Sequence, residues 1–249
     1  EGGTVCRLTA LLDNKAYSQN FFGKLYKKNK HLGFSIYENY IYSLSSVFKK
    51  LGININTVPV LDVLKKNTHR IISSRTYSND IKTIKTLGKL CIKSYKKNKI
   101  GTVIKHIPGH GSASRDSHKT LPIVRKNHKN LSINDFKCFK GMDSHFAMTA
   151  HILFSNIDSK NVVTHSKNLI RKIIRKKIGF RGILISDDIS MKALKYSLVE
   201  NAKRSLSSGC NLALYCSGKY RESKRLLKEL PLIDNFTMKK TSQFYKFLR

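Results

Sequence analysis

The 249-residue sequence has no tryptophan, four prolines, and 15 acidic residues against 48 lysines and arginines. It has no apolar run of 18 residues, so no membrane-spanning helix is expected. No signal peptide is visible at its start. The five cysteines, Cys6, Cys91, Cys138, Cys210 and Cys216, are scattered and odd in number, and none forms a CxxC pair. That argues against a disulfide framework and a structural zinc site, and for a reducing, cytoplasmic compartment. The opening "EGGTVCR" contains no methionine, so the sequence reads as processed or as a piece of something longer.

What is abundant is positive charge, with a formal net of +33. A polyanion partner such as nucleic acid would explain it. So would composition: lysine, asparagine, isoleucine and serine are plentiful everywhere, the pattern of an AT-rich genome. The basic stretches "YKKNKHLGF", "FKKLG", "SYKKNK" and "RKIIRKK" lie apart. A nucleic-acid protein more often gathers them on one element with aromatics between. Compositional bias is the better reading, and no specific nucleic-acid partner is expected.

Apolar residues make up 40% of the chain, enough for a core. Ile41, Leu44, Val47, Phe48 and Leu51 recur at helical spacing, and Gly52 ends the run. "INTVPVLDV" reads as a buried strand despite Pro59. Ser78 or Asn79 could cap the next helix, whose stripe is Ile81, Ile84, Leu87, Cys91 and Tyr95. "IGTVIKHI", "HFAMTAHILF", "RGILISDDIS" and "CNLALYC" read as further strands. Helices are expected near 134–142, around Leu169–Ile174, over 191–207, and once or twice at the C-terminus. Alternation of this kind implies a parallel sheet with helices outside. Chemistry in such folds sits at the carboxyl ends of the strands. There the sequence repeatedly places polar groups: "LD", "KHIPGHG", "AH" and "SDD".

Three groups of residues could carry chemistry. In "ISDDIS", strand alternation sends Asp187 and Asp188 to opposite faces, so one alone can face the site. The pair could cap a following helix, or one could act as a carboxylate nucleophile or a metal ligand at the mouth of the barrel. His106 and His110 are four apart, but Pro108 and Gly109 between them forbid a regular helix. No cysteine or glutamate stands nearby, and neither metal nor cofactor is expected. "PGHG" reads as a tight turn. His118 lies two residues from Asp116, whose carboxylate could fix its tautomer and raise its basicity. Arg75 and Lys105, at separate strand ends, could bind a substrate or pair with a neighbouring aspartate.

"KHIPGHG", then "DSH", then "ISDDISM" resemble, in order and spacing, the bacterial β-N-acetylhexosaminidases of glycoside hydrolase family 3 that serve peptidoglycan recycling. The resemblance runs from "EGG" to "GCNLALYC". It implies a TIM (β/α)8 barrel and retaining, two-step hydrolysis of terminal β-linked N-acetylglucosamine from muropeptides. It implies Asp187 as nucleophile, His118 as acid/base with Asp116 as its partner, and Lys105, His106, Arg75 and Arg7 as sugar-binding residues. It implies one catalytic domain over 1–249, an N-terminally truncated piece with about five of the eight strands, and a monomer. The sequence departs from the family at Thr4 and Cys6, where arginine and glutamine are usual. It also has Ser74 for aspartate and Ile107 for phenylalanine. A catalytically impaired remnant or sugar binder from a decaying gene is the alternative, and a nucleic-acid-binding protein a third reading.

Overall fold

The structure is a computed structural model that describes residues 16–65, 68, 70–113, 117 and 120–249. Six short strands occur among them. They are β1 (Ile55–Asn56), β2 (Gly101–Ile107), β3 (Ile123–Val124), β4 (Phe146–Thr149), β5 (Leu153–Phe154) and β6 (Ile183–Ile185). β1, β2, β4 and β6 form one sheet in that order, every pair parallel. β3 and β5 form a separate parallel pair.

The expected "INTVPVLDV" strand is regular only at its start. Beyond Asn56 it stays beside β2 through a single bridge, Val60 to Lys105. Pro59 has no N–H to give, although its carbonyl accepts from Lys105 N at 3.1 Å. "CNLALYC" likewise pairs through one bridge, Leu212 to Ile185. Together these five parallel segments form a partial (β/α) barrel wall, with helices against its outer face.

Register explains how the wall is sided. Val103, Phe146 and Ile183 are paired positions, as are Ile104, Ala147 and Leu184. Paired residues point the same way, and neighbours along a strand point oppositely. The second set packs among helical residues such as Ile84, Leu87, Ile173 and Ile174. The first set forms a separate cluster with Met148 and Phe244. Phe244 belongs to the C-terminal helix Asn235–Leu248, which covers this inner face. Its ring lies so close to Gly101 that a Cβ there would be 2.6 Å from Phe244 Cε2.

The helices follow the sequence closely where their apolar stripes are long. Lys30–Lys50 buries Ile41, Leu44 and Phe48, while Leu51 is half-exposed and Gly52 turns with φ +71°. Ile81–Lys97 buries Ile84, Leu87, Cys91 and Tyr95. Each such side chain contributes about 1.5–3 kcal/mol relative to exposure. Several helices end in basic turns, among them those closing with Lys27 and Lys28, Lys49 and Lys50, Lys96 and Lys97, and Arg175, Lys176 and Lys177. Cations there complement the helix dipole.

Three expected boundaries differ. The cap of Ile81–Lys97 is Asp80, whose carboxylate accepts from Lys82 N and Thr83 N; Ser78 instead accepts from Asp80 N. The helix expected near 134–142 is replaced by His128–Ile133, capped by Asn127, and a single tight turn at Phe136–Cys138. The helix expected over 191–207 is Leu198–Ser208, because Ser197 accepts from Glu200 N and starts it late. Leu169–Ile178 is wound as a π-helix ending at Gly179, φ +80°. No helix among the described residues is long and apolar enough to cross a membrane.

Candidate active site

The carboxyl ends of the parallel segments carry Asp62, Lys105–His106, His151 and Asp187–Asp188. Arg7, Asp116 and His118 lie outside the described residues. The other sequence candidates, Arg75, Lys105, His106 and Asp187, are described.

Lys105 and His106 lie just before the end of β2 at Ile107, and both are buried. The chain beside them supplies Asp62, whose side chain is fully buried. Asp62 Oδ2 lies 2.8 Å from His106 Nδ1. The same carboxylate accepts from the backbone N–H of His106 at 3.3 Å and of His110 at 2.6 Å. A carboxylate that takes Nδ1–H leaves Nε2 of the neutral ring as the acceptor. Burial pushes the Asp62 carboxyl up; His110, the two backbone N–H groups and Arg75 pull it part-way back. Arg75 is buried and within electrostatic reach of Asp62.

"PGHG" does form a tight turn. Gly109 N donates to His106 O at 2.8 Å with φ +141°, and Ala113 N donates to His110 O at 3.0 Å. Glycine is required at 111, where a Cβ would lie 2.1 Å from Val63 O. Asp135, wholly buried at its side chain, anchors the turn. It pairs with Lys65 at 2.6 Å and accepts from Ser112 Oγ at 2.9 Å, and Lys65 also bonds Ser112. Thr68 Oγ1 donates to Gly111 O at 3.0 Å. Residues 110–113 are thus fixed at the point where the chain leaves for "DSH".

His110 packs edge-on to His106 with ring centroids 5.6 Å apart. Burial and the neighbouring His106 push its pKa down to about 4, against the pull of Asp62 and Asp187. His110 is therefore neutral at physiological pH. Among the described residues, no group of three or more histidines, cysteines or acids could hold a metal ion.

Asp187 and Asp188 divide as strand alternation requires. Asp188 ties the backbone: its carboxylate accepts from Ser190 N at 3.0 Å, Ser190 Oγ at 2.8 Å and Cys216 N at 3.3 Å. Asp187 continues the inner row of Ile183 and Ile185. Its Oδ1 accepts from Asp188 N at 2.9 Å. Burial alone would raise its pKa. His151, His106, the Asp188 N–H and Lys105 outweigh that and hold the carboxyl below the usual carboxylate range. A half-buried carboxylate stays ionised when a lysine, imidazoles and a backbone N–H favour its charged form.

Sequence reasoning flagged the ends "LD" and "AH" but singled out neither Asp62 nor His151. Their partners lie 44 and 37 positions away. The available signal was position: both end a strand, as "KH" and "SDD" do.

The N-terminal-domain model of glycosyl hydrolase family 3 matches residues 40–242. The chain belongs to that family. A β-hexosaminidase of Haemophilus influenzae is 32% identical over 173 residues, 67% of this chain and 48% of that protein. The chain thus spans about half the length of the curated relatives it matches. A family 3 β-N-acetylglucosaminidase from Paenibacillus sp. FPU-7 superimposes with TM-score 0.77 at 25% identity, covering 86% of this chain and 43% of that one. Native NagZ from Neisseria gonorrhoeae shares the fold, with TM-score 0.82 at 24% identity over 93% of this chain and 67% of that one. Family membership accounts for the parallel segments as part of a TIM-type barrel.

Proposed function

We propose that the chain forms the greater part of a single catalytic barrel domain of a retaining exo-β-N-acetylglucosaminidase. It would act on the terminal sugar of peptidoglycan fragments during cytoplasmic cell-wall recycling. Asp187 is the nucleophile and His118, supported by Asp116, the acid/base. Lys105, His106, Arg75 and Arg7 hold the sugar.

One observation carries this reading. Asp187 sits at the carboxyl end of β6, on the inner row, with its charge stabilised by His151, His106 and Lys105. Retention needs a carboxylate on one side of the anomeric carbon and a proton donor on the other. In the first step an Asp187 oxygen bonds to that carbon while protonated His118 gives its proton to the departing oxygen. In the second, His118 takes a proton from water, and the water oxygen displaces Asp187. An imidazole in that role adds no negative charge beside the attacking carboxylate. The names of the Haemophilus and Paenibacillus relatives support the substrate class.

The test is hydrolysis of a chromogenic N-acetyl-β-glucosaminide by the full-length protein and by Asp187→Asn. The reading expects turnover by the first and background by the second. Equal turnover would remove Asp187 as nucleophile.

A further inference from the structure

We infer that His151 is a positioning residue for the nucleophile, holding the Asp188 peptide whose N–H orients the Asp187 carboxylate. The inference rests on the reading of Asp187 above and extends it to a residue that reading does not assign.

His151 lies two residues past β4 and has no exposed surface. Its Nε2 is 3.0 Å from Asp188 O. A carbonyl only accepts, so Nε2 carries the proton and donates. Nδ1 is 2.7 Å from Thr164 Oγ1. Thr164 Oγ1 is in turn 2.8 Å from Thr149 Oγ1 and 3.4 Å from Ala150 O. In the neutral ring, Thr149 donates to Thr164, Thr164 donates to Nδ1, and Nε2–H points at Asp188. In the protonated ring, Nδ1–H donates to Thr164. Both states keep the bond to Asp188.

Asp188 is thereby held at every polar group. Its C=O receives His151 Nε2–H and, at 3.1 Å, Met191 N–H; its N–H meets Asp187 Oδ1, and its side chain is bound to Ser190 and Cys216 N. Such a clamp fixes the peptide that follows the nucleophile. A displacement of about 1 Å there costs a rate of about 100-fold, because the reacting oxygen must meet the anomeric carbon in line. Asp187 is also faced by Lys105, His106 and His110. These groups remain when His151 is replaced, so its own share is separable.

The experiment is steady-state kinetics of the full-length protein against pH, with His151→Gln and Thr164→Val. Valine has the shape of threonine, so this variant removes the hydroxyl that meets Nδ1 without opening a cavity. Both variants should lower kcat, His151→Gln by about 100-fold and Thr164→Val by less, with KM little changed. The acid limb of kcat should move to higher pH in His151→Gln, since Asp187 loses one supporting group. If His151→Gln does not fold, Thr164→Val decides alone. Folded variants with kcat within about twofold of the parent and an unmoved acid limb, beside an inactive Asp187→Asn, overturn the inference and leave the nucleophile in place. An active Asp187→Asn overturns the functional reading itself.

Discussion

Asp62 Oδ2 stands 2.8 Å from Nδ1 of His106, a residue 44 positions later, and both side chains are buried. The carboxylate also receives two backbone N–H groups, one from His106 itself in β2 and one from His110 in the turn that follows. One aspartate therefore sets the ring of His106 and the path of the chain beyond it.

Asp62→Asn keeps the shape of this site but offers an NH2 where a donor already points. The variant should lose about 1–3 kcal/mol of stability, the cost of leaving buried donors unmet. The denaturant midpoint measures it. Sugar affinity should weaken as well, since His106 loses the partner that fixes its tautomer.

Gly111→Ala would place a methyl 2.1 Å from Val63 O. That contact is with backbone and does not relax cheaply. A loss of about 1–3 kcal/mol is expected from overpacking. Gly141→Ala is the control: φ is +76° but nothing lies within 4 Å of its Cβ, so its cost is conformational alone. A larger loss at 141 than at 111 would show that the close approach is not the reason for glycine.

Asp80→Ala should destabilise the fold by about 1 kcal/mol at neutral pH through loss of the helix cap. Hydrogen bonds from the Thr83 hydroxyl and N–H hold the Asp80 carboxyl below its ordinary 3.8, against a smaller opposing effect of burial. A lowered folded pKa means that this share of stability is present above pH 3.8 and disappears as pH falls through the folded value. The gap between parent and variant should therefore close in acid. A gap that does not narrow as pH is lowered below 3.8 would contradict the assignment of the cap to the ionised carboxylate.

The architecture was legible because it rests on patterns a sequence carries openly. The stripe Ile84, Leu87, Cys91 and Tyr95 repeats at helical spacing, and "GTVIKHI" is buried along its length. Boundaries set by single hydrogen bonds were harder to read. Asp80 was passed over for its neighbours Ser78 and Asn79. "SLVE", with serine three residues before glutamate, marked the true start of Leu198–Ser208. In the site, Lys105 and His106 stand out in sequence beside "PGHG", while "SDD" offers two aspartates, of which only the family resemblance implies Asp187. Asp62 and His151 do not stand out, because a lone aspartate after "VL" and a lone histidine after "TA" acquire meaning only from partners across the sheet. The π winding of Leu169–Ile178 has no sequence signal that we can identify.

Asp187 is held below its ordinary 3.8 by His151, His106, the Asp188 N–H and Lys105 against the opposing effect of burial. For the free enzyme, kcat/KM should therefore show no acid limb from this carboxylate above about pH 4. Any loss of rate between pH 5 and 7 belongs to another group, with His118 the first candidate. An Asp187→Glu variant that moves a limb within that range would overturn this assignment.

The most direct test of the whole account is chemical. A fluorinated N-acetylglucosaminyl fluoride forms its glycosyl–enzyme bond faster than water breaks it. After exposure of the full-length protein, peptide mass analysis should find one glycosyl adduct, on Asp187. An adduct on Asp188 or on any other residue, or turnover of substrate with no adduct at all, would contradict it.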